Sequence, residues 1–297
     1  MLRRLHDTWL ARYAKPSAAA RQAVAHLKPI VVVTGGSRGI GLQLARRFAS
    51  AGRDVALVAR HADPLEAAAS AIRQFPVAAV TIALDVTTAD APQAIDARLA
   101  EGGFYMDVLV NSAGAGLAGD FVAHSDSEIA HLVELNVAAL TRLMRHALPG
   151  MLARARGGIL NVGSLGGLVP GPYQAAYYAS KAYVVSLTDA VAAENVGSGV
   201  RFTALAPGPV DTGFHAAMGS ELSFYRQLLV ALSPEAAASA GYRGYVLGFR
   251  LVVPGLLSKA MLPFLRILPH RLLLPLIGWL LRPRQARAWD DDADNAQ

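Results

Sequence analysis

The 297-residue sequence contains no cysteine, which excludes a disulfide framework, a thiolate nucleophile and any cysteine-ligated metal. Charged residues are scarce, at 17% against about 25% in an average soluble domain. Hydrophobic residues make up 53%, so disorder is excluded as the main state: there is ample apolar surface to offset the entropy of ordering. No convincing membrane span is present. The longest strongly apolar run near the end, residues 272–281, is interrupted by Pro275, and a span needs about 20 residues. Residues 1–28 are broken repeatedly by arginine and lysine, so no secretory signal, with its apolar core of about 7–15 residues, is expected there. The eight histidines are scattered and no carboxylate cluster has metal-ligand spacing, so no metal is expected.

What charge there is lies at the ends. The formal net charge is +6; residues 1–28 carry six basic side chains and one acid, and residues 236–289 carry eight basic ones and no acid. The tail, 290–297, holds four aspartates, leaving the middle, 29–235, at −3. Basic ends interleaved with Leu, Ile and Trp suit a membrane surface better than a nucleic-acid groove. No nucleic-acid module is recognisable and no nucleic-acid partner is expected. A cytoplasmic location, free or against a membrane surface, fits these features.

Between the ends, strand-like and helix-like segments alternate. Strands are predicted at 30–34, 55–59, 79–84, 108–111, 159–162, 200–206 and 251–253, several of them continuous apolar runs of the kind buried on both faces. Helices are predicted at 39–51, 64–73, 91–100, 126–148, 176–194 and 234–247. The alternation predicts an α/β fold: a single doubly wound Rossmann domain over 29–254, its mostly parallel seven-stranded sheet covered by helices on both faces. A basic N-terminal extension, 1–28, precedes it. A C-terminal extension, 255–297, follows, mixing basic and apolar residues and ending in the acidic tail.

The first strand runs into Thr34-Gly35-Gly36-Ser37-Arg38-Gly39-Ile40-Gly41. Glycines that end a strand and open a helix let a pyrophosphate approach bare N–H groups at the positive end of that helix. Further along, Tyr177 and Lys181 are four residues apart and share one helix face. A nearby ammonium favours phenolate over phenol, so this tyrosine is tuned to give or take a proton while hydride moves at a carbonyl carbon. Tyr178 and Tyr173 have no lysine at that spacing.

These motifs occur in a fixed order. Thr-Gly-x-x-x-Gly-x-Gly is followed by Asn111-Ser112-Ala113-Gly114, by Asn136 within Leu135-Asn136-Val137, by Ser164 thirteen residues before Tyr177, by Tyr177-x-x-x-Lys181, and by Pro207-Gly208-Pro209-Val210-Asp211-Thr212. Over about residues 29–254 the chain resembles the short-chain dehydrogenase/reductase family. The resemblance implies that Tyr177 is the general acid/base, that Lys181 tunes it and holds the nicotinamide ribose, that Ser164 bonds the substrate oxygen, and that Asn136 holds a water in a proton relay. It implies cofactor contacts from Gly35, Ser37, Arg38, Gly39, Ile40 and Gly41 in the loop, and from Asp85 (at the adenine edge) and Val86. Asn111, Ala113, Gly114, Tyr177, Lys181, Pro207, Gly208, Val210 and Thr212 complete the set, Thr212 holding the carboxamide. A homo-oligomer, dimer or tetramer, through helices 126–148 and 176–194 is also implied.

The second strand ends Val58-Ala59-Arg60, with no acid to hold ribose hydroxyls. Arg38 and Arg60 together favour a 2′-phosphate, because a guanidinium recognises phosphate through paired hydrogen bonds, so NADP(H) is the expected cofactor. The resemblance places a substrate lid at 213–232; its apolar residues (Phe214, Met218, Leu222, Phe224, Tyr225, Leu228, Leu229, Val230), with Leu117, Leu165, Leu168 and Tyr173 as further lining positions, predict a small hydrophobic ketone, aldehyde or secondary alcohol as substrate. The C-terminal segment 256–289 has two open readings: a membrane-surface element, or a cap on the pocket or a subunit interface. The N-terminal stripe of His6, Trp9 and Tyr13 has the same two readings. The competing functional reading is a non-catalytic NADPH-binding sensor or scaffold on the same fold.

Overall fold

The computed structural model describes residues 9–214, 218–220 and 231–282. Seven strands, β1 (Lys28–Thr34), β2 (Asp54–Ala59), β3 (Ala79–Ala83), β4 (Phe104–Asn111), β5 (Gly157–Val162), β6 (Val200–Leu205) and β7 (Leu251–Val252), form one sheet in the order β3-β2-β1-β4-β5-β6-β7. Every neighbouring pair is parallel.

The strand residues explain the layering. In β1, Ile30 and Val32 point into one core, with Ile95, Leu99, Leu140, Leu143, Met144 and Val184. Val31 and Val33 point into the other, with Leu44, Phe48, Leu65, Ile72 and Tyr245. A β-branched run therefore serves both faces, as a strand buried on both sides requires. The helices filling these layers are α2 (Gly39–Ser50), α3 (Ala62–Ile72) and α8 (Pro234–Leu247) on one face. On the other lie α4 (Ala91–Glu101), α5 (Asp126–Val133), α6 (Leu140–Arg154) and α7 (Ala175–Glu194). The short α1 (Ala18–Gln22) precedes the sheet. β4 begins four residues before its predicted start because the buried Asp107, held by the Arg156 side chain at 3.0 Å, hides the strand from an apolar-run criterion.

The predicted helix 126–148 is longer and not uniform. A π-helical turn, Glu134–Ala139, joins α5 to α6, and the helix continues past Pro149 to Arg154. Such turns widen a helix locally and concentrate at functional sites. Asn136 sits in this one.

The extensions go to opposite ends of the sheet. The N-terminal segment ties to the ends where strands begin: Tyr13 N–H donates to Gly197 O (2.9 Å), Gly199 N–H to Leu10 O (2.9 Å) and Ser17 N–H to Ala153 O (2.8 Å). Trp9 and Tyr13 remain exposed, with the Arg12 guanidinium over both rings; His6 lies outside the described residues. The C-terminal extension forms α9 (Leu256–Ile267) and α10 (His270–Leu281), a hairpin packed at the end where strands finish.

Candidate active site

In a doubly wound sheet the crevice opens beyond the carboxyl ends of the strands, where the strand order reverses. Here that point lies between β1 and β4, and a cleft of about 880 Å³ occupies it.

One end of the cleft is shaped by main chain. Gly35 has φ +65°, and a Cβ there would lie 2.8 Å from Ala113 N; a Cβ on Gly41 would lie 2.3 Å from Gly35 O. Only glycine fits either position, so the loop is a bare cradle at the start of α2. Thr34 anchors it across the switch point, its Oγ1 accepting from Ser112 N–H (3.1 Å) and Ala113 N–H (3.3 Å). Arg38 caps α2, and Arg38, Arg60 and Asp85 all line this end. Burial opposes ionisation of Asp85, but hydrogen bonds from Thr87 N–H (2.9 Å) and Thr87 Oγ1–H (2.8 Å), with the Arg60 charge, hold its carboxyl below the usual carboxylate range.

The middle of the cleft gathers the reactive candidates. Ser164 follows β5 and caps a short 3₁₀ turn, Leu165–Leu168, its Oγ accepting from Gly166 N–H at 3.1 Å. Tyr177 and Lys181 project from α7, with Lys181 Nζ 5.8 Å from the centre of the Tyr177 ring. Lys181 is buried; its Nζ donates to Val162 O (2.9 Å), and burial lowers its pKa to about 8. Gly114 lets these parts meet, since a Cβ there would lie 3.2 Å from Asn136 Oδ1 and 3.5 Å from Lys181 Nζ. The ring of Phe214 lies 5.6 Å from that of Tyr177.

All the expected site residues line the cleft except two. Asn136 is buried behind the wall: its Oδ1 accepts from Ala115 N–H (2.9 Å), while its Nδ2 donates to Ala115 O (2.8 Å) and Ser180 Oγ (3.0 Å). Its amide is thus spent fastening the β4 loop to α7, and a water on this residue would have to be held by its main chain. Asn111 is likewise buried, because its Nδ2 donates to Asn161 Oδ1 (2.8 Å) and Asn161 in turn bonds Thr188 Oγ1 (2.8 Å). Its side chain ties β4 to β5 and α7 instead of facing a cofactor.

The far end of the cleft is apolar. Leu165, Val169, Tyr178, Phe214 and Met218 line it, together with Met261, Leu265, Ile277, Leu280 and Leu281 of the α9–α10 hairpin. The capping reading of the C-terminal extension therefore describes its inner face. Leu117 and Leu168, expected here, do not line the cleft, and Tyr173 lines a separate groove against α10. Leu222, Phe224, Tyr225, Leu228, Leu229 and Val230 lie outside the described residues. The hairpin's lining residues have no motif; their only signal is the spacing of four in Met261 and Leu265 and in Ile277 and Leu281. Sequence reasoning also missed Gln174, which lines the cleft and whose Nε2 is buried without a hydrogen-bond partner among the described residues.

Residues 29–222 match the family model described as short chain dehydrogenase. A short chain dehydrogenase of Pseudocercospora fijiensis is 37% identical over 183 residues, 61% of this chain but only 59% of that protein's length. Among solved structures, a short-chain dehydrogenase from Sphingobium yanoikuyae in complex with NADPH is 30% identical, with 88% of this chain and 99% of that one covered at a TM-score of 0.71. The bulky-bulky ketone specific alcohol dehydrogenase from Comamonas testosteroni is 26% identical, with 82% and 96% covered at a TM-score of 0.66.

Proposed function

The chain belongs to the short-chain dehydrogenase/reductase family, and on that premise we propose that it is an NADP(H)-dependent oxidoreductase interconverting an apolar ketone or aldehyde and its alcohol. The observation that carries this reading is one cleft in which Tyr177 and Ser164 stand between a bare glycine cradle with two arginines and an apolar chamber. The cradle fits a dinucleotide: Gly35 and Gly41 leave no room for a side chain, and the start of α2 favours a pyrophosphate. Arg38 and Arg60 would hold a 2′-phosphate, with Arg60 shared between that phosphate and Asp85. Thr212, whose methyl lies 3.5 Å from the Gly39 Cβ position, would hold the carboxamide. The Sphingobium protein's complex with NADPH supports the choice of cofactor.

When bound, the nicotinamide supplies or accepts the hydride. The protein's own part is to orient the carbonyl and move one proton. Ser164 keeps its hydroxyl hydrogen for the substrate oxygen, because its lone pair takes the Gly166 N–H. Tyr177 gives the proton at its phenolic oxygen in reduction and takes it in oxidation. The Lys181 ammonium stabilises the phenolate this leaves, with hydrogens beyond the one given to Val162 O available for the ribose. Asn136 is a positioning residue, holding the β4 loop against α7 through Ala115 and Ser180. The apolar lining supports a hydrophobic substrate, and the ketone specificity of the Comamonas relative points the same way. Gln174 would offer its unmet donor to a polar group on that substrate. A homo-oligomer through α5–α6 and α7, where Val133 and Tyr183 are exposed, completes the proposal.

The test is NADPH consumption across carbonyl compounds, from small aldehydes to polycyclic and long-chain ketones, with Tyr177→Phe as control. Tyr177-dependent turnover concentrated on the large apolar ketones is the expected result. Tight NADPH binding with no turnover on any of them would favour a cofactor sensor instead.

A further inference from the structure

The α9–α10 hairpin has two apolar faces, and only one is spent on the cleft. Leu265, Leu273, Ile277 and Leu281 pack inward against Leu165, Val169 and Tyr178. On the outside, Leu256 (87% exposed), Leu257, Phe264 (65%), Ile267 (78%), Leu272 (68%), Leu276 and Trp279 face solvent. Leu272, Leu276 and Trp279 follow the four-and-three spacing of a single helix stripe, and Leu257, Phe264 and Ile267 recur at the same period on α9. Seven large apolar side chains exposed on two consecutive helices, spaced as stripes, are more than the singly scattered hydrophobics of an ordinary surface and point to a binding face.

Charge identifies the occupant. Lys259, Arg271 and Arg282 are exposed on the hairpin, and no acidic residue occurs between positions 236 and 289. His270, Arg271 and Arg282 line a groove of about 650 Å³ with Trp279, Pro172 and Tyr173. Apolar stripes rimmed by cations, with a tryptophan among them, match the interface of an anionic bilayer: acyl chains below and phosphates above. Among the described residues of the hairpin there is no acid, so a second copy docking by the same face would set these cations against themselves. At 12 residues each, α9 and α10 are too short to span, and no described helix is long and apolar enough to cross a membrane. The helices would lie in the interfacial plane.

We propose that the outer face of the α9–α10 hairpin docks the protein on anionic lipid bilayers. The docking stands on the outer face alone. Its consequence, delivery of lipid-dissolved substrate to the chamber behind the hairpin, rests on the reductase reading.

The experiment is flotation of the full chain with vesicles of phosphatidylcholine, with or without phosphatidylglycerol, which needs no turnover. Binding to the phosphatidylglycerol vesicles is expected, weakening as salt rises. Replacing Lys259, Arg271 and Arg282 together by glutamine should lower affinity roughly a hundredfold, at about fivefold per cation. Phe264→Ser and Trp279→Ser should each cost about tenfold, with circular dichroism spectra unchanged because these side chains are exposed. Absence of vesicle binding by the wild type, or binding indifferent to all these substitutions, would overturn the proposal. So would a Phe264→Ser protein that loses an oligomeric state while floating as before, which would assign the face to a second copy. Loss of flotation leaves the NADPH assay untouched, so the two readings fail separately.

Discussion

The two ends of the cleft are built from different materials. At the cradle end, main-chain atoms do the shaping, and single atoms decide whether the surface exists: one methyl on Gly41 would meet the Gly35 carbonyl oxygen at 2.3 Å. At the chamber end, apolar helix faces do the shaping, and Met261, Leu265, Ile277 and Leu280 contribute bulk without direction. A cradle that holds phosphate tolerates almost no change of residue type, whereas an apolar wall tolerates many exchanges of similar volume. On the proposed reading, the end that takes the cofactor is fixed and the end that takes the substrate is adjustable.

That contrast can be broken most severely between the two ends. Tyr177→Phe should lower turnover by about a hundred- to ten-thousand-fold with NADPH affinity nearly unchanged, read by steady-state kinetics beside fluorescence titration. Retained turnover would remove Tyr177 as the acid. Gly41→Ala should weaken NADPH binding by about tenfold to a hundredfold, the equivalent of the usual overpacking cost; unaltered affinity would show that the cradle is not where the dinucleotide lies. Arg38→Ala with Arg60→Ala should weaken NADPH by roughly tenfold or more and NADH little, since only charge-assisted bonds to the 2′-phosphate are lost. Equal weakening of both would contradict the phosphate assignment.

At the adjustable end effects should be smaller and substrate-dependent. Ile277→Ala should raise KM for bulky ketones about threefold to tenfold, within the range set by a few lost methylenes, and leave small aldehydes and NADPH unaffected. A uniform change across substrates would mean that α10 supports the fold only. The mildest effect concerns stability and pH. Burial lowers Lys181 from 10.5 to about 8, so between pH 8 and 10.5 the unfolded chain binds more protons and stability rises with pH. Below pH 8 the cost of the buried ammonium is fully present. The stability of Lys181→Met relative to wild type, from urea unfolding, should therefore fall as pH climbs through that window; a pH-independent difference would contradict the burial of a charged lysine.

The same contrast explains what could be read in advance. The sheet was legible because β1, β2 and β5 are apolar runs with turn residues at their ends, and the cradle was legible because phosphate chemistry demands glycine at 35, 39 and 41. Tyr177 and Lys181 were legible from their helical spacing. The π turn at Asn136 was not, since no local residue signals the widening; the partners of its side chain, Ala115 and Ser180, are distant in sequence. The direction of the Asn111 amide was not legible either, because its place in a motif says nothing about which way the amide turns, and Asn161 claims it. The hairpin's role was illegible for the opposite reason: leucines spaced for a helix pack equally well against a cleft, a partner or a lipid, and only the fold shows that the inner face closes the chamber. Asp107 concealed the start of β4 by being charged and buried together.

The most direct test is a single turnover. Protein loaded with stoichiometric NADPH is mixed with an excess of a polycyclic ketone, and the nicotinamide absorbance is followed. The wild type should lose that absorbance as alcohol appears, and a Tyr177→Phe protein loaded to the same extent should retain it. Equal loss in both proteins, or none in either despite full loading, would contradict a Tyr177-dependent reductase.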